Sequence, residues 1–390
     1  METRVVNIGV IGVGGWGGTG HMRAYADSPH ARVVAVCDTV LERARQVAGQ
    51  WDVPQALDDH RALLALPEVE AVDVATPNDT HYEIVLAALA AGKHVLCEKP
   101  LALTVQDARE MERAAAEHGR RGAVNFIHRY VPSARYVKLL LDEGALGRIY
   151  HCNVTYAQGW LTDPGFPRVW RLNRAVTGSG VLGDLGSHAI DLARWWLGAE
   201  IGSVSGRLTT FNHRRPLPPS PTAIHGPAGP PLDRAAAGPI PLVEVDVDDE
   251  ATWLASFENG AEGHFFTSRN ATARSNHIRA EIYGSDGAIV YDNAVRDSVQ
   301  ASLGRAMWHR NAWATLAVPS ALMREDGKNA MHYAVEDVLF GTSVAPTFHD
   351  GVRAQEVMDA VVRSAAERRW VDVEMSPAAT STAPMSPLSS

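Results

Sequence analysis

Over the first 126 residues, short β-branched apolar runs alternate with stretches of helical spacing. The runs cover residues 5–11, 32–37, 71–76, 94–97 and 122–126. Between them, Leu41, Ala44, Ala48 and Trp51 recur on one helical face, and a second helix is expected over 81–91, stopped by Gly92. A third opens at Thr104, with Asp107 three residues on in a capping-box pattern, and ends at Gly119. Strands alternating with helices make βαβ units. Residues 1–126 are therefore expected to form a doubly wound parallel sheet buried on both faces.

Beyond residue 126 the texture changes. A helix over 132–143 ends at Gly144, 149–156 reads as a strand, and 184–197 is helical. After that, β signals dominate. Segments 253–257 and 261–267 flank Glu258-Asn259-Gly260, and 277–283 and 288–291 flank Gly284-Ser285-Asp286-Gly287. Both are hairpin signals and imply antiparallel pairing. Residues 127–373 are expected to form an α+β domain with a large, open, mainly antiparallel sheet. Residues 214–241, rich in Pro, Ala and Gly, are expected to be an insertion between two strands, and 374–390 a disordered tail.

The chain has 390 residues, enough for two domains, and its composition (46% hydrophobic, 21% charged) is that of a globular protein. A net charge of −9 argues against a protein that grips nucleic acid or an anionic membrane. The three cysteines, Cys37, Cys97 and Cys152, are too few and too scattered for a disulfide framework or a Cys-rich zinc site, which fits a reducing, cytoplasmic compartment. The apolar run 5–13 leads into glycines and not a cleavage site, so it reads as a buried strand and not a signal peptide. No stretch reaches the ~18 apolar residues that a membrane span needs.

Three patterns carry chemistry. Gly12-Val13-Gly14-Gly15-Trp16-Gly17 is a G-x-G-x-x-G directly after the first strand, where glycines allow a tight turn and let backbone N–H groups approach a pyrophosphate. The second strand ends at Asp38, which can accept hydrogen bonds from ribose hydroxyls and repel a 2′-phosphate, favouring NAD over NADP. The alternative is a glycine-rich turn followed by an incidental loop aspartate. Next, the strand ending in Cys97-Glu98-Lys99-Pro100 aims Lys99 at the cleft outside the strand ends, where it could stabilise a forming alkoxide; a solvated surface lysine is the alternative. Last, Asp184 and His188 lie four apart in Gly183-Asp184-Leu185-Gly186-Ser187-His188, so on a helix the acid could orient the imidazole as a base. The alternatives are a helix N-terminal acid beside a structural histidine, or half of a metal site, for which no nearby cluster supplies the remainder.

These features, in this order, resemble the glucose–fructose oxidoreductase / inositol dehydrogenase family (Gfo/Idh/MocA). The resemblance also rests on Val34-Ala35-Val36-Cys37-Asp38, Thr76-Pro77-Asn78 with His81, Arg129-Tyr130-x-Pro132, Gly147-Arg148, Trp170-Arg171 and Asp191, and runs from about Val5 to Val373. It implies an N-terminal Rossmann domain, a C-terminal α+β domain with an open sheet, and Lys99, Asp184 and His188 as catalytic groups. It also implies cofactor contacts at Gly12, Gly14, Gly15, Trp16, Gly17, Asp38, Thr76, Pro77, Asn78, His81, Glu98, Lys99, Trp170 and Arg171. Substrate contacts are implied at Lys99, Tyr130, Gln158, Arg171, Asp184 and His188. The implied reaction is hydride transfer between NAD and a secondary hydroxyl of a pyranose, anhydrosugar or cyclitol, by a homodimer or homotetramer without a metal. An NAD-dependent glycosidase and a non-catalytic NAD-binding regulator are the alternatives. The 305–332 region, with Trp308, His309, Arg310, Trp313 and His332, departs from the family's substrate subgroups.

Overall fold

In the computed structural model, residues 4–218, 241–304, 312–325, 327–341 and 345–377 are described. The first six strands are β1 (Val6–Ile11), β2 (Ala31–Cys37), β3 (Gln55–Leu57), β4 (Ala71–Val74), β5 (His94–Cys97) and β6 (Gly122–Val124). They form one sheet in the order β3-β2-β1-β4-β5-β6, with every pair parallel. The helices Leu41–Trp51, His81–Ala90 and Val105–Glu117 lie between strands. They leave every residue of β4 and β5 buried, as a sheet covered on both faces requires. Thr104 caps the third helix, its Oγ1 accepting from the Asp107 N–H at 3.1 Å. From β1 the chain winds outward to β2 and β3, then returns to lay β4 on the other side of β1. That reversal opens a crevice at the carboxyl ends of the strands.

The second sheet has nine strands. They are β7 (Ile149–Ala157), β8 (Ile201–Thr209), β11 (Glu250–Phe257), β12 (Glu262–Ser268), β13 (His277–Gly284), β14 (Gly287–Asp292), β15 (Ser298–Leu303), β16 (Ala314–Ala317) and β17 (Val371–Asp372). Their order is β16-β15-β14-β13-β7-β12-β11-β8-β17, and all pairs are antiparallel except β7 with β12. The helices Pro132–Asp142, Ser187–Leu197 and Phe348–Glu367 pack on one face. Burial alternates along β11 and β12 because the opposite face is open. The helix Phe348–Glu367 also packs on Val105–Glu117, so a single apolar core runs from Ile11 and Val74 to Trp253 and Val361.

Three sequence expectations change. Arg214–Pro216 (β9) is not inserted surface: it pairs with β10 (Leu242–Glu244), and the fully buried Arg215 donates to the Leu161 carbonyl at 2.7 Å and the Asp163 carbonyl at 2.9 Å. A buried guanidinium satisfied by carbonyls belongs to the folded body. Residues 219–240 lie outside the described residues. The start of the expected tail is likewise tied down, the Ser376 N–H donating to Glu356 Oε1 at 3.0 Å and the Glu374 carbonyl accepting from Arg109; residues 378–390 lie outside the described residues. Finally, the 184–197 helix begins two residues earlier, as a π-helical turn Leu182–Gly186 that runs into the α-helix Ser187–Leu197. Among the described residues, no helix is long and apolar enough to cross a membrane, and no cluster of three or more His, Cys, Asp or Glu is placed to hold a metal.

Candidate active site

The crevice is a cleft of 1190 Å³ between the two sheets. The first domain contributes Gly12, Gly14, Gly15, Trp16, Asp38, Arg43, Thr76, Pro77, Asn78, Glu98 and Lys99. Tyr156, Gln158, Trp160, Trp170, Arg171, Asp184, His188, Arg269 and Asn276 come from the second.

The glycine loop is built for close approach. Gly12 has φ +93°, and a Cβ there would sit 2.7 Å from the Ala75 backbone. A Cβ at Gly17 would lie 2.3 Å from the Gly12 carbonyl oxygen, so that glycine closes the turn from beneath, buried, and does not line the cleft. The chain passes straight into the continuous helical turns Gly17–His21 and Met22–Ala26, and the first N–H groups at the start of a helical run have no intrahelical acceptor. This flat loop followed by a helix start fits a dinucleotide pyrophosphate. At the end of β2, Asp38 Oδ1 accepts from the Val40 N–H and from Arg43 Nη1, both at 3.0 Å, and the Arg43 guanidinium lies against Gly14.

Lys99 follows β5, and its peptide bond to Pro100 is cis. Its Nζ donates to Asp184 Oδ1 and to the Asp184 carbonyl, both at 2.8 Å, while Asp184 Oδ2 stands 3.7 Å from Arg269. Burial alone would raise the Asp184 pKa, but the charges of Lys99, Arg269 and Arg171 hold the carboxyl well below the usual carboxylate range. The expected pairing of Asp184 with His188 does not form, because a full positive charge on Lys99 outcompetes a neutral imidazole for the carboxylate. His188 is buried with Nδ1 lacking any hydrogen-bond partner, and burial pushes its pKa well below the ordinary value, with His128 and Lys99 adding to the shift. Its ring packs edge-on against Phe126 and His128, at centroid distances of 5.8 and 4.6 Å.

Two further residues move away from their expected roles. His81 is wholly buried, its ring nitrogens 3.1 Å from the Pro100 carbonyl and 3.0 Å from the Thr76 carbonyl; it clasps two loops and does not line the cleft. Tyr130 is also buried, stacked on Tyr333 at 4.6 Å with the rings 9° from parallel, and likewise does not line the cleft. Trp308, His309 and Arg310 lie outside the described residues. Trp313 is exposed at 41%, and the side chain of His332 caps the helix Ala330–Phe340 with Asn329.

The sequence reasoning missed a buried network behind Glu98. His21 Nδ1 meets Asp73 Oδ2 at 2.8 Å and its Nε2 meets Glu98 Oε1 at 3.1 Å, while Asn125 Nδ2 donates to the same Glu98 oxygen. Burial alone would lower the His21 pKa, yet Asp73 and Glu98 raise it to about 10. Glu98, which burial would push up, is brought down to about 2 by His21, Lys99 and Asn125. A histidine four residues past Gly17 was the available signal. The polar rim was also missed: Tyr156 Oη donates to Asn276 Oδ1 at 2.7 Å, and Gln158 Nε2 donates to the same atom at 2.9 Å. Nothing local in the sequence pairs residues so far apart.

A phosphate-binding loop at the switch point of a parallel sheet, facing a lysine–aspartate pair, defines an NAD-binding oxidoreductase. Residues 6–126 match the family described as "Oxidoreductase family, NAD-binding Rossmann fold", and residues 134–290 match "GFO/IDH/MocA C-terminal domain". The chain belongs to the Gfo/Idh/MocA family. It is 34% identical to levoglucosan dehydrogenase from Pseudarthrobacter phenanthrenivorans, over 94% of this chain and 98% of that protein. It is 25% identical to inositol 2-dehydrogenase from Rhizobium meliloti, over 94% of this chain and 99% of the relative. The solved structure of a levoglucosan dehydrogenase complex with NADH and levoglucosan superimposes with a TM-score of 0.83 at 32% identity, over 95% of this chain and 100% of that one.

Proposed function

We propose that this protein oxidises a secondary hydroxyl of a pyranose sugar, anhydrosugar or cyclitol, with Lys99, Asp184 and His188 as the groups that act on that hydroxyl. The observation that carries the reading is the convergence in one cleft of a charged Lys99–Asp184 pair and a buried, neutral imidazole. NAD, when bound, supplies the hydride acceptor. Asp184 holds the Lys99 ammonium in place, and that ammonium faces the oxygen on which negative charge develops. His188 takes the hydroxyl proton, since burial keeps the ring unprotonated and able to act as a base. Gly12, Gly14, Gly15 and Trp16 hold the pyrophosphate, and Asp38 the adenosine ribose, with Thr76, Pro77, Asn78 and Glu98 along the remaining wall.

A polyol is favoured by the wall opposite. Gln158, Asn276 and Arg171 offer donors and acceptors, while Trp160 and Trp170 supply flat apolar surfaces of the kind that pack on the C–H faces of sugar rings. Levoglucosan, the named substrate of one relative, is an anhydrosugar of this class. The cytoplasm is the compartment we favour, supported by three free cysteines. A homodimer or homotetramer is favoured by the open sheet face, where Leu254 is 44% exposed. The test is a panel of sugars, anhydrosugars and inositols with NAD+, followed by absorbance of the reduced cofactor. Turnover of a member with net NADH formation supports the reading; release of a leaving group without net NADH, or no reaction with any of them, overturns it.

A further inference from the structure

Once Asp184 is committed to Lys99, nothing assigned so far orients the base. His188 has no hydrogen bond at Nδ1, so its ring direction is set by packing. Three rings do that packing. Tyr156 lies 6.1 Å away at 55°, Phe126 5.8 Å away at 72°, and His128 4.6 Å away at 75°, the closest contact of the three. The His128 ring is itself anchored: its Nε2 is 3.3 Å from Tyr156 Oη. Because that hydroxyl donates its proton to Asn276 Oδ1 at 2.7 Å, it is free to accept from an Nε2–H of His128. The sequence of contacts is Asn276 to Tyr156 to His128 to His188, and Tyr156, Asn276 and His188 all line the cleft while His128 stands behind them.

We propose that His128 is the positioning residue of the base: fixed by the Tyr156 hydroxyl, its ring holds the His188 imidazole in one orientation and one tautomer at the substrate hydroxyl. The inference rests on the reading of His188 as the base. Edge-to-face ring contacts have a preferred geometry, so an anchored ring can direct a neighbour that no hydrogen bond directs. His128 suits this place because its neutral ring combines an aromatic face with an N–H donor. Burial, reinforced by the Lys99 charge, pushes its pKa down to about 3, so it does not set a second positive charge beside the protonated base. The charged or titratable groups around it are Lys99, His188 and Tyr156.

The test compares His128→Ala, His128→Phe and Tyr156→Phe with His188→Ala, in the full chain. Turnover, NADH affinity by fluorescence titration, and the imidazole nitrogen signals of His188 in 15N-histidine-labelled protein are measured for each. In the wild type, His188 should show one tautomer. His128→Ala should lose on the order of 10- to 100-fold in kcat, the scale of a misplaced catalytic group, with NADH affinity unchanged and the His188 signals averaged between tautomers. His128→Phe, which keeps the ring edge, should recover most of that loss. Tyr156→Phe should lower kcat in the wild type and have little effect on kcat in the His128→Phe background, where the hydroxyl has no ring nitrogen to fix. His128→Ala with near-normal kcat and a single His188 tautomer would overturn the proposal. So would a His128→Phe variant no better than His128→Ala, or one that fails to fold. If His188→Ala itself turns over normally, the assignment of the base has failed and not merely its positioning.

Discussion

The ammonium of Lys99 and the carboxylate of Asp184 are 2.8 Å apart, joined across 85 residues of sequence and across the two domains. The pair is only partly exposed, with Lys99 at 17% and Asp184 at 23% of side-chain surface, so water screens it weakly. Removing Asp184 takes from the Lys99 ammonium the carboxylate that holds it, whereas without Lys99 the carboxylate of Asp184 would still face Arg269 at 3.7 Å.

Asp184→Asn should therefore act mainly through Lys99. Turnover is expected to fall by on the order of 10²-fold, the usual effect of losing one preorganised electrostatic group, with NADH affinity near normal. The check is kcat beside a fluorescence titration with NADH. Wild-type turnover in Asp184→Asn would mean that the ammonium needs no partner.

Cofactor choice should depend on Asp38. Its carboxylate neutralises Arg43 at 3.0 Å and stands where a 2′-phosphate would add negative charge. Asp38→Ser frees Arg43 and should narrow the preference for NAD+ over NADP+ by roughly tenfold or more, about 1.4 kcal/mol. The ratio of kcat/KM for the two cofactors measures this, and an unchanged ratio in Asp38→Ser argues that the ribose is held elsewhere.

Stability should be greatest near pH 6.5 to 7. The folded-state pKa of His21 is raised to about 10 from 6.5, so its contribution is complete below pH 6.5 and is lost as pH rises towards 10. On the acid side, His128 is lowered from 6.5 to about 3 and His94 to about 4, so the unfolded chain takes up their protons first and stability falls as pH drops below 6.5. Glu98, lowered from 4.5 to about 2, adds a further loss below pH 4.5. Melting temperatures from pH 4 to 10 report the curve. In His21→Gln the alkaline fall should flatten, and a slope identical to the wild type would count against the network.

Shortening the segment after β9 has a boundary that matters. Leu217 N–H donates to the Pro241 carbonyl at 2.8 Å, so the chain ends at 218 and 241 already lie close enough for a short glycine-rich bridge. Replacing 219–240 in this way should leave melting temperature near normal. A cut that begins at Arg214 removes a buried guanidinium and strips the Leu161 and Asp163 carbonyls of their donor, at a cost of ~1–3 kcal/mol or more. Equal stability of the two deletions would show that β9 is dispensable.

Tyr130→Phe is expected to leave substrate KM unchanged, since the hydroxyl faces the core beside Tyr333 and not the cleft. Gln158→Ala, by contrast, should raise substrate KM, because Gln158 lies in the cleft wall and donates to Asn276. Steady-state kinetics on the best substrate of the panel separates the two.

What the sequence determined by itself is what short-range rules govern. Alternating periodicities specify the βαβ units, with β5 matching its expected span residue for residue, and hairpin glycines specify the antiparallel strands of the second sheet. The glycine loop was legible because only glycine tolerates the Gly12 dihedral and the Gly17 contact, both properties of a few consecutive residues. Tertiary structure alone decided which partner each polar group takes. Asp184 and His188 stand four apart, yet the carboxylate goes to Lys99, because a buried anion is held best by the nearest full positive charge. His81 and Tyr130 sit in motifs that resemble cofactor and substrate contacts, but the folded chain turns one to loop carbonyls and the other to Tyr333. His21 acquires two carboxylates from β4 and from the loop after β5, which no linear spacing places together. Periodicity is a property of neighbours along the chain, whereas competition for a charge or a ring face is settled by distance and burial after the chain has folded.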